Sequence, residues 1–227
     1  MKANRRSTSA GGARAWGRFH ALVLACGCAP LAGAAPMGYQ GSTMAMGDFG
    51  ANWRELSINY AVTARDAFGA DYTFMRSDDG SITRELVEAN YTRLLYRANL
   101  PDAQANVWLL LGLGAIRGTG IAGEEAVATP GLQVDYETTR VYFSALGRLY
   151  RASGVNNDYG AVRAGFSFYE AEYDELQPWF IVEARRMRGL SDEVEVTPML
   201  RVITRNYFIE AGVSTMGQAR FNFMYIF

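Results

Sequence analysis

Apolar and polar side chains alternate along most of this chain. In "WRELSINYAV", Leu56, Ile58, Tyr60 and Val62 fall on one face, with Glu55, Ser57, Asn59 and Ala61 on the other. In "FGADYTFM", Phe68, Ala70, Tyr72 and Phe74 oppose Gly69, Asp71, Thr73 and Met75. A period of two is the signature of a β-strand with two different surroundings. "ELVEANYTRLLY" sets Val87, Ala89 and Tyr91 against Glu88, Asn90 and Thr92, and the apolar face then meets Arg93. Either a bulge shifts the phase there, or Arg93 snorkels at a membrane edge. The run "NVWLLLGLGAIRG" is nearly all apolar but too short to span a bilayer as a helix. As a strand it places Val107, Leu109, Leu111, Leu113 and Ala115 opposite Leu110, Gly112 and Gly114.

The remaining alternating segments are "LQVDYET", "RVYFSALGRLY", "YGAVRAGFSFYEA", "QPWFIVEARRM", "EVEVTPMLRVI", "YFIEAGVST" and "ARFNFMYIF". "STMAMGDF", near the start, completes a set of about twelve strands, with ten as the lower count. Turn signals separate most of them. The joins "ARDA", "NLPD", Thr138-Thr139, "YDEL" and "TRN" are expected at the end that holds the C-terminus. The joins "SDDGS", "SGVNND", "GLSD", "MGQ" and a longer loop from Gly118 to Gly131 are expected at the other end.

The second face of these strands is charged. It collects Glu55, Asp71, Glu88, Asp135, Glu137, Arg148, Arg163, Glu183, Arg185, Glu193, Glu195, Arg201, Glu210 and Arg220. A soluble β-protein would turn that face to water, whereas a membrane barrel would turn it to a lumen; alternation alone fits both. Strand lengths suit a tilted crossing of a bilayer, and Tyr and Phe gather near the strand ends as interfacial girdles do. The last strand adds Phe221, Phe223, Tyr225 and Phe227 on one face. With that terminal pattern the chain resembles the outer-membrane β-barrel proteins of Gram-negative bacteria, which typically end in such a strand. The resemblance implies an all-β, closed antiparallel transmembrane barrel in outer-membrane lipid. It also implies that the barrel-assembly machinery reads the last strand. A secreted soluble β-protein is the alternative.

The first residues read differently. Lys2, Arg5, Arg6, Arg14 and Arg18 precede the short apolar run "ALVLACGCAPLAGAA", which ends in small residues. This is the pattern of a signal peptide over residues 1–34, cleaved after Ala34, with the barrel domain over 35–227. An uncleaved anchor is disfavoured by the shortness of the run and by Pro30; lipoprotein processing at Cys26 is disfavoured by its poor match to that pattern. Removal of this leader takes away Cys26, Cys28, His20 and Lys2, the chain's only cysteines, histidine and lysine. It removes five of the 22 basic side chains and none of the 23 acidic ones, leaving an acidic chain with no reason to bind nucleic acid.

Chemistry narrows accordingly. A mature chain without His or Cys has no Ser-His, His-Asp or Cys-His catalysis and no His-containing metal site, so no enzyme is expected. Neither a metal nor a cofactor is expected. Glu193 and Glu195, two apart, read as a lumen wall rather than a catalytic pair. "GLGAIRGTG" has the wrong spacing for a dinucleotide loop, and Met44 and Met46 alone make a weak soft-metal site. Two functions remain: a small porin-like channel whose acid-rich lumen passes small ions or solutes, or a plugged structural barrel that interacts through its outer loops.

Overall fold

The computed structural model describes residues 35–172 and 175–227, so the leader, and Tyr173 and Asp174 of the "YDEL" turn, lie outside the described residues. Its strands are β1 (Thr43–Phe49), β2 (Trp53–Ala61), β3 (Asp66–Arg76), β4 (Thr83–Asn99), β5 (Ala103–Gly118), β6 (Glu125–Ala128), β7 (Gly131–Thr138), β8 (Val141–Ala152), β9 (Val155–Ser167), β10 (Gln177–Arg188), β11 (Glu195–Ile203), β12 (Tyr207–Val213) and β13 (Ala219–Ile226). Each pairs antiparallel with its neighbour, and β13 pairs back onto β1 from Met44 opposite Ile226 to Phe49 opposite Phe221. The sheet is therefore closed. β6 and β7 both pair with β5, at Leu113–Ile116 and Ala103–Leu110 respectively, so they are two halves of one stave. The barrel has twelve staves.

That broken stave corrects the long loop expected from Gly118 to Gly131. Only residues 119–124 connect, because Glu125–Ala128 pairs with β5. The break falls at Thr129-Pro130, where proline has no N–H to give to a ladder. Thr129 N still donates to Gly112 O at 2.9 Å, and Leu149 N donates to Pro130 O at 2.9 Å. Likewise "SGVNND" is mostly strand: β9 starts at Val155, leaving Ser153-Gly154 as a two-residue hairpin with Gly154 at φ +70°. The tight join after β7 forms because Thr138 Oγ1 accepts from Arg140 N at 3.0 Å and Val141 N at 2.8 Å.

Every stave turns its apolar face outward. Leu56, Ile58, Tyr72, Val87, Leu132, Leu200 and Ile209 are exposed, and Leu113 is 70% exposed. At the end that holds the C-terminus, Phe68 stacks near Tyr91 (ring centroids 4.9 Å) and Tyr225 near Phe227 (5.6 Å). Arg93 stays in phase with that outer face and reaches Asp66 at 3.0 Å and the Tyr91 hydroxyl at 3.2 Å. Snorkelling is thus the answer at Arg93, and a register shift follows it between Leu94 and Tyr96. An apolar band outside and charges within is the arrangement of a transmembrane barrel.

The interior is layered along the barrel. Trp53, Met75, Leu86, Ile116, Tyr150, Tyr159 and Met187 pack together at the end away from the termini. Met44, Tyr142, Trp179, Met199, Phe208 and Met224 pack at the opposite end. Beside this second layer, Met37 from the segment before β1 enters the mouth and packs on Ala61, Ala67, Leu94 and Trp108. The lipid-facing assignment is tested by Leu111→Arg, midway along β5. The substitution is expected to destabilise the folded barrel by about 2–4 kcal/mol in denaturant titrations in liposomes, against at most about 1 for an Arg near the interface.

Candidate functional site

Between the two apolar layers lies a belt of charge, built in two parts. The first part centres on Arg148 of β8. Its guanidinium reaches Glu88 of β4 at 2.6 Å, Asp71 of β3 at 3.5 Å and Glu55 of β2 at 3.8 Å. Thr129, turned inward at the broken stave, donates to Glu88 at 2.5 Å and accepts from Arg148 at 3.1 Å. Asn90 donates to Asp71 at 2.5 Å. Room for this cluster comes from Gly112 of β5, where an added Cβ would stand 2.1 Å from Glu88 and 2.2 Å from Thr129. One guanidinium here serves three carboxylates.

The second part spans β9 to β13 and β1. Arg220 reaches Asp48 at 2.8 Å, Glu183 at 3.2 Å and Glu195 at 3.5 Å. Arg185 reaches Glu195 at 2.7 Å and Asp48 at 3.5 Å. Arg163 pairs with Glu183 at 3.0 Å and also with Glu210. Glu210 takes Arg201 at 2.5 Å and a hydrogen bond from Asn222 at 2.8 Å. Arg201 lies between the rings of Tyr142 and Phe208, at 5.0 and 4.8 Å from their centroids. Four guanidiniums and four carboxylates are matched, with the planar forks that suit paired recognition.

Two further carboxylates lie nearer the terminal end. Asp135 accepts from Asn106 and from the Trp108 indole, both at 2.6 Å, and Glu137 is buried on the same strand face. In all, nine carboxylates and six guanidiniums line the belt, the sixth being Arg97, which donates to Asn106 at 2.7 Å beside Asp135. Of the sequence candidates, Glu193 stands apart: it lies exposed in the connection before β11, whose pairing starts only at Glu195 opposite Arg185. Its place is taken by Asp48, which the alternation pattern did not single out. The signal was available, since Asp48 continues the Met44-Met46 face of "STMAMGDF". The β1–β13 register then sets Asp48 opposite Asn222. Among the described residues no group of three or more His, Cys, Asp or Glu is arranged to hold a metal ion.

A cavity of about 200 Å³ opens beside the first part of the belt. Asp48, Glu55, Asp71 and Arg148 line it, together with Asn59, Asn90 and Asn222. Ala35 and Pro36 bound it as well; Pro36 O accepts from Asn59 Nδ2 at 3.0 Å. Trp53, Tyr150 and Tyr159 form another wall, with Trp53 stacked on Tyr159 at 4.9 Å.

No protein-family model matches the chain, and no curated protein matches it. Among solved structures it is similar to the KdgM porin, at 12% identity and a TM-score of 0.45, over 81% of this chain and 98% of that one. The structure described as "KdgM porin in complex with disordered oligogalacturonate" is similar at 11% identity and a TM-score of 0.44, over the same shares. Pseudomonas aeruginosa OccK11 (OpdR) is similar at 8% identity and a TM-score of 0.39, over 82% of this chain and 66% of that one. At these levels the likenesses add no weight to the pairing and the two faces of this chain. Those alone describe a closed twelve-stave β-barrel with the apolar outer face of a membrane-spanning one.

The belt predicts an asymmetry between partners. Glu210→Leu strips a carboxylate from both Arg163 and Arg201 and is expected to cost about 3–5 kcal/mol, the size seen when a buried pair loses one member. Arg201→Met is expected to cost clearly less, because Glu210 keeps Arg163 and Asn222. Equal losses in denaturant titrations would contradict this asymmetry.

Proposed function

We propose that this protein is a narrow, porin-like outer-membrane channel whose lumen favours small cations. The observation that carries the reading is the belt itself. Ionisable groups inside a membrane span are costly and mark paths for ions or solutes, whereas an apolar filling would close a purely structural barrel more cheaply. Nine carboxylates against six guanidiniums give the wall a negative balance, which attracts cations. The oligogalacturonate in complex with the KdgM porin is a polyanion, and an acid-rich wall does not complement such a molecule. The barrel carries out no catalysis in this reading. The test is single-channel recording of the purified protein in planar bilayers under a salt gradient. Small openings whose reversal potential favours the cation are expected; an anion-favouring reversal potential refutes the assignment.

A second reading, a plugged barrel acting at the cell surface, has its own support in the apolar layers at both ends of the interior. Its weakness lies in the connections away from the termini, which are short, none exceeding the six residues of 77–82, 119–124 or 189–194. The segment before β1 separates the two. It precedes β1 and is held in the mouth by Met37 and by the bond from Asn59 to Pro36, while nearer β1 Gly41 N donates to Ala61 O at 2.7 Å. Met37→Asp is expected to release it and raise single-channel conductance. Silence in the parent and the variant alike supports the plugged barrel instead.

Removal of a leader over residues 1–34 and assembly through the last strand belong to the same proposal. Phe227 N donates to Thr43 O at 2.9 Å, and Thr43 N donates to Phe227 O at 2.8 Å, so deleting the residue would also remove two closing bonds. Phe227→Ser keeps both and removes only the ring. It is expected to lower the fraction of heat-modifiable, folded barrel in the outer membrane without altering export. Unchanged assembly argues against a role for the ring as a signal.

A further inference from the structure

The cavity in the belt holds three unserved amide oxygens and two unserved donors, Trp53 Nε1 and Arg148 Nε, and its carboxylates outnumber its guanidiniums. Arg148 is committed most closely to Glu88, at 2.6 Å, leaving Asp71 and Glu55 at 3.5 and 3.8 Å from the same guanidinium. Arg163, the other cation on the cavity wall, is occupied by Glu183 and Glu210. Three asparagines on the wall reinforce the imbalance. Asn59 spends its NH2 on Pro36 O, Asn90 on Asp71 and Asn222 on Glu210, which fixes each amide with its oxygen left over. All three oxygens are buried without a hydrogen-bond partner, and the Asn59 and Asn222 residues are only 3% and 5% exposed. Buried polar atoms in native proteins are seldom left in that state unless a ligand or water serves them.

We infer that this cavity is a binding site for a small organic ammonium ion. An ammonium brings a positive charge for Glu55 and Asp71 and several N–H donors for the free amide oxygens. Its aliphatic part meets Trp53 and Tyr159, whose stacked faces also attract a cation. A bare divalent metal fits less well, since among the described residues no three carboxylates are arranged to hold one and Arg148 stands among those that gather here. A volume of about 200 Å³ accommodates an occupant the size of a small diamine, since about 150 Å³ holds benzene. The inference deepens the cation-favouring lumen proposed above, but it rests on the cavity and not on conduction.

The experiment is titration calorimetry of the folded, full-length processed barrel in detergent micelles, with 1,4-diaminobutane as probe and n-butanol and butyrate as controls. Saturable binding of the diamine alone is expected. Glu55→Gln and Asn222→Leu should each weaken it by about tenfold, the effect of one lost hydrogen bond to a charged group. Heat-modifiable migration on gels shows whether each variant is folded; Asp71→Asn replaces any variant that is not. No saturable heat, equal binding of butanol, or unchanged affinity in the folded variants overturns the site. A barrel that conducts cations but binds no diamine loses this inference and keeps the channel. One that binds diamine but never conducts keeps the inference and loses the channel.

Discussion

In hydrocarbon a backbone N–H or C=O has no water to turn to, and each unpaired group costs several kcal/mol. A sheet meets that condition only if its two edges find each other. In this chain the edges are β1 and β13, paired over six residues and sealed by the mutual bonds of Thr43 and Phe227. The remaining features of the barrel follow from that closure. It fixes which residues face inward, because a slip of one residue would send Asp48 and Arg220 into lipid. It also explains why the break at Pro130 is tolerable. The groups on either side are met by Gly112 and Leu149, and the freed Thr129 hydroxyl is used inside.

Closure at twelve staves brings opposite walls near enough for side chains to meet across the interior. Arg148 on β8 reaches Glu55 on β2, five staves away, and Arg185 on β10 reaches Asp48 on β1, four staves away. Such pairs must be well matched, because desolvation consumes most of the attraction gained. The β9–β13 side achieves this with equal numbers of each charge. The β2–β4 side does not, and the cavity lies on that side. Matched charges make a rigid wall, and unmatched ones leave room and a field for something else.

The alternation of side chains made the staves, their count and the two faces legible, since a bilayer and a charged lumen impose opposite demands on neighbouring residues. What stayed hidden depended on pairing between distant segments. Glu193 alternates correctly with Glu195 but has no partner strand beside it, so it lies in a connection. Asp48 sits on a strand too short and too apolar for its one acid to stand out until β13 is placed beside it. Glu125–Ala128 reads as loop because its strand character comes from pairing with β5 and, at Ala128, with β8. The entry of Met37 into the mouth had no local signature, because it depends on a pocket formed by β2 to β5.

Two apolar layers of different kind narrow the interior on either side of the belt. At the end away from the termini Trp53, Tyr150 and Tyr159 are side chains of the wall, held by stacking and by burial. Opening there needs rotamer changes within a packed layer, which is slow and costly. At the terminal end part of the constriction is a short stretch of chain before β1, with few bonds to break, and segments of that kind open most readily. The two constrictions therefore differ in what can move them. The terminal one yields to local release of a few residues, while the one at the other end yields only to something that repacks the aromatic layer. A cation entering the cavity would touch both, since Pro36 and Trp53 line the same space.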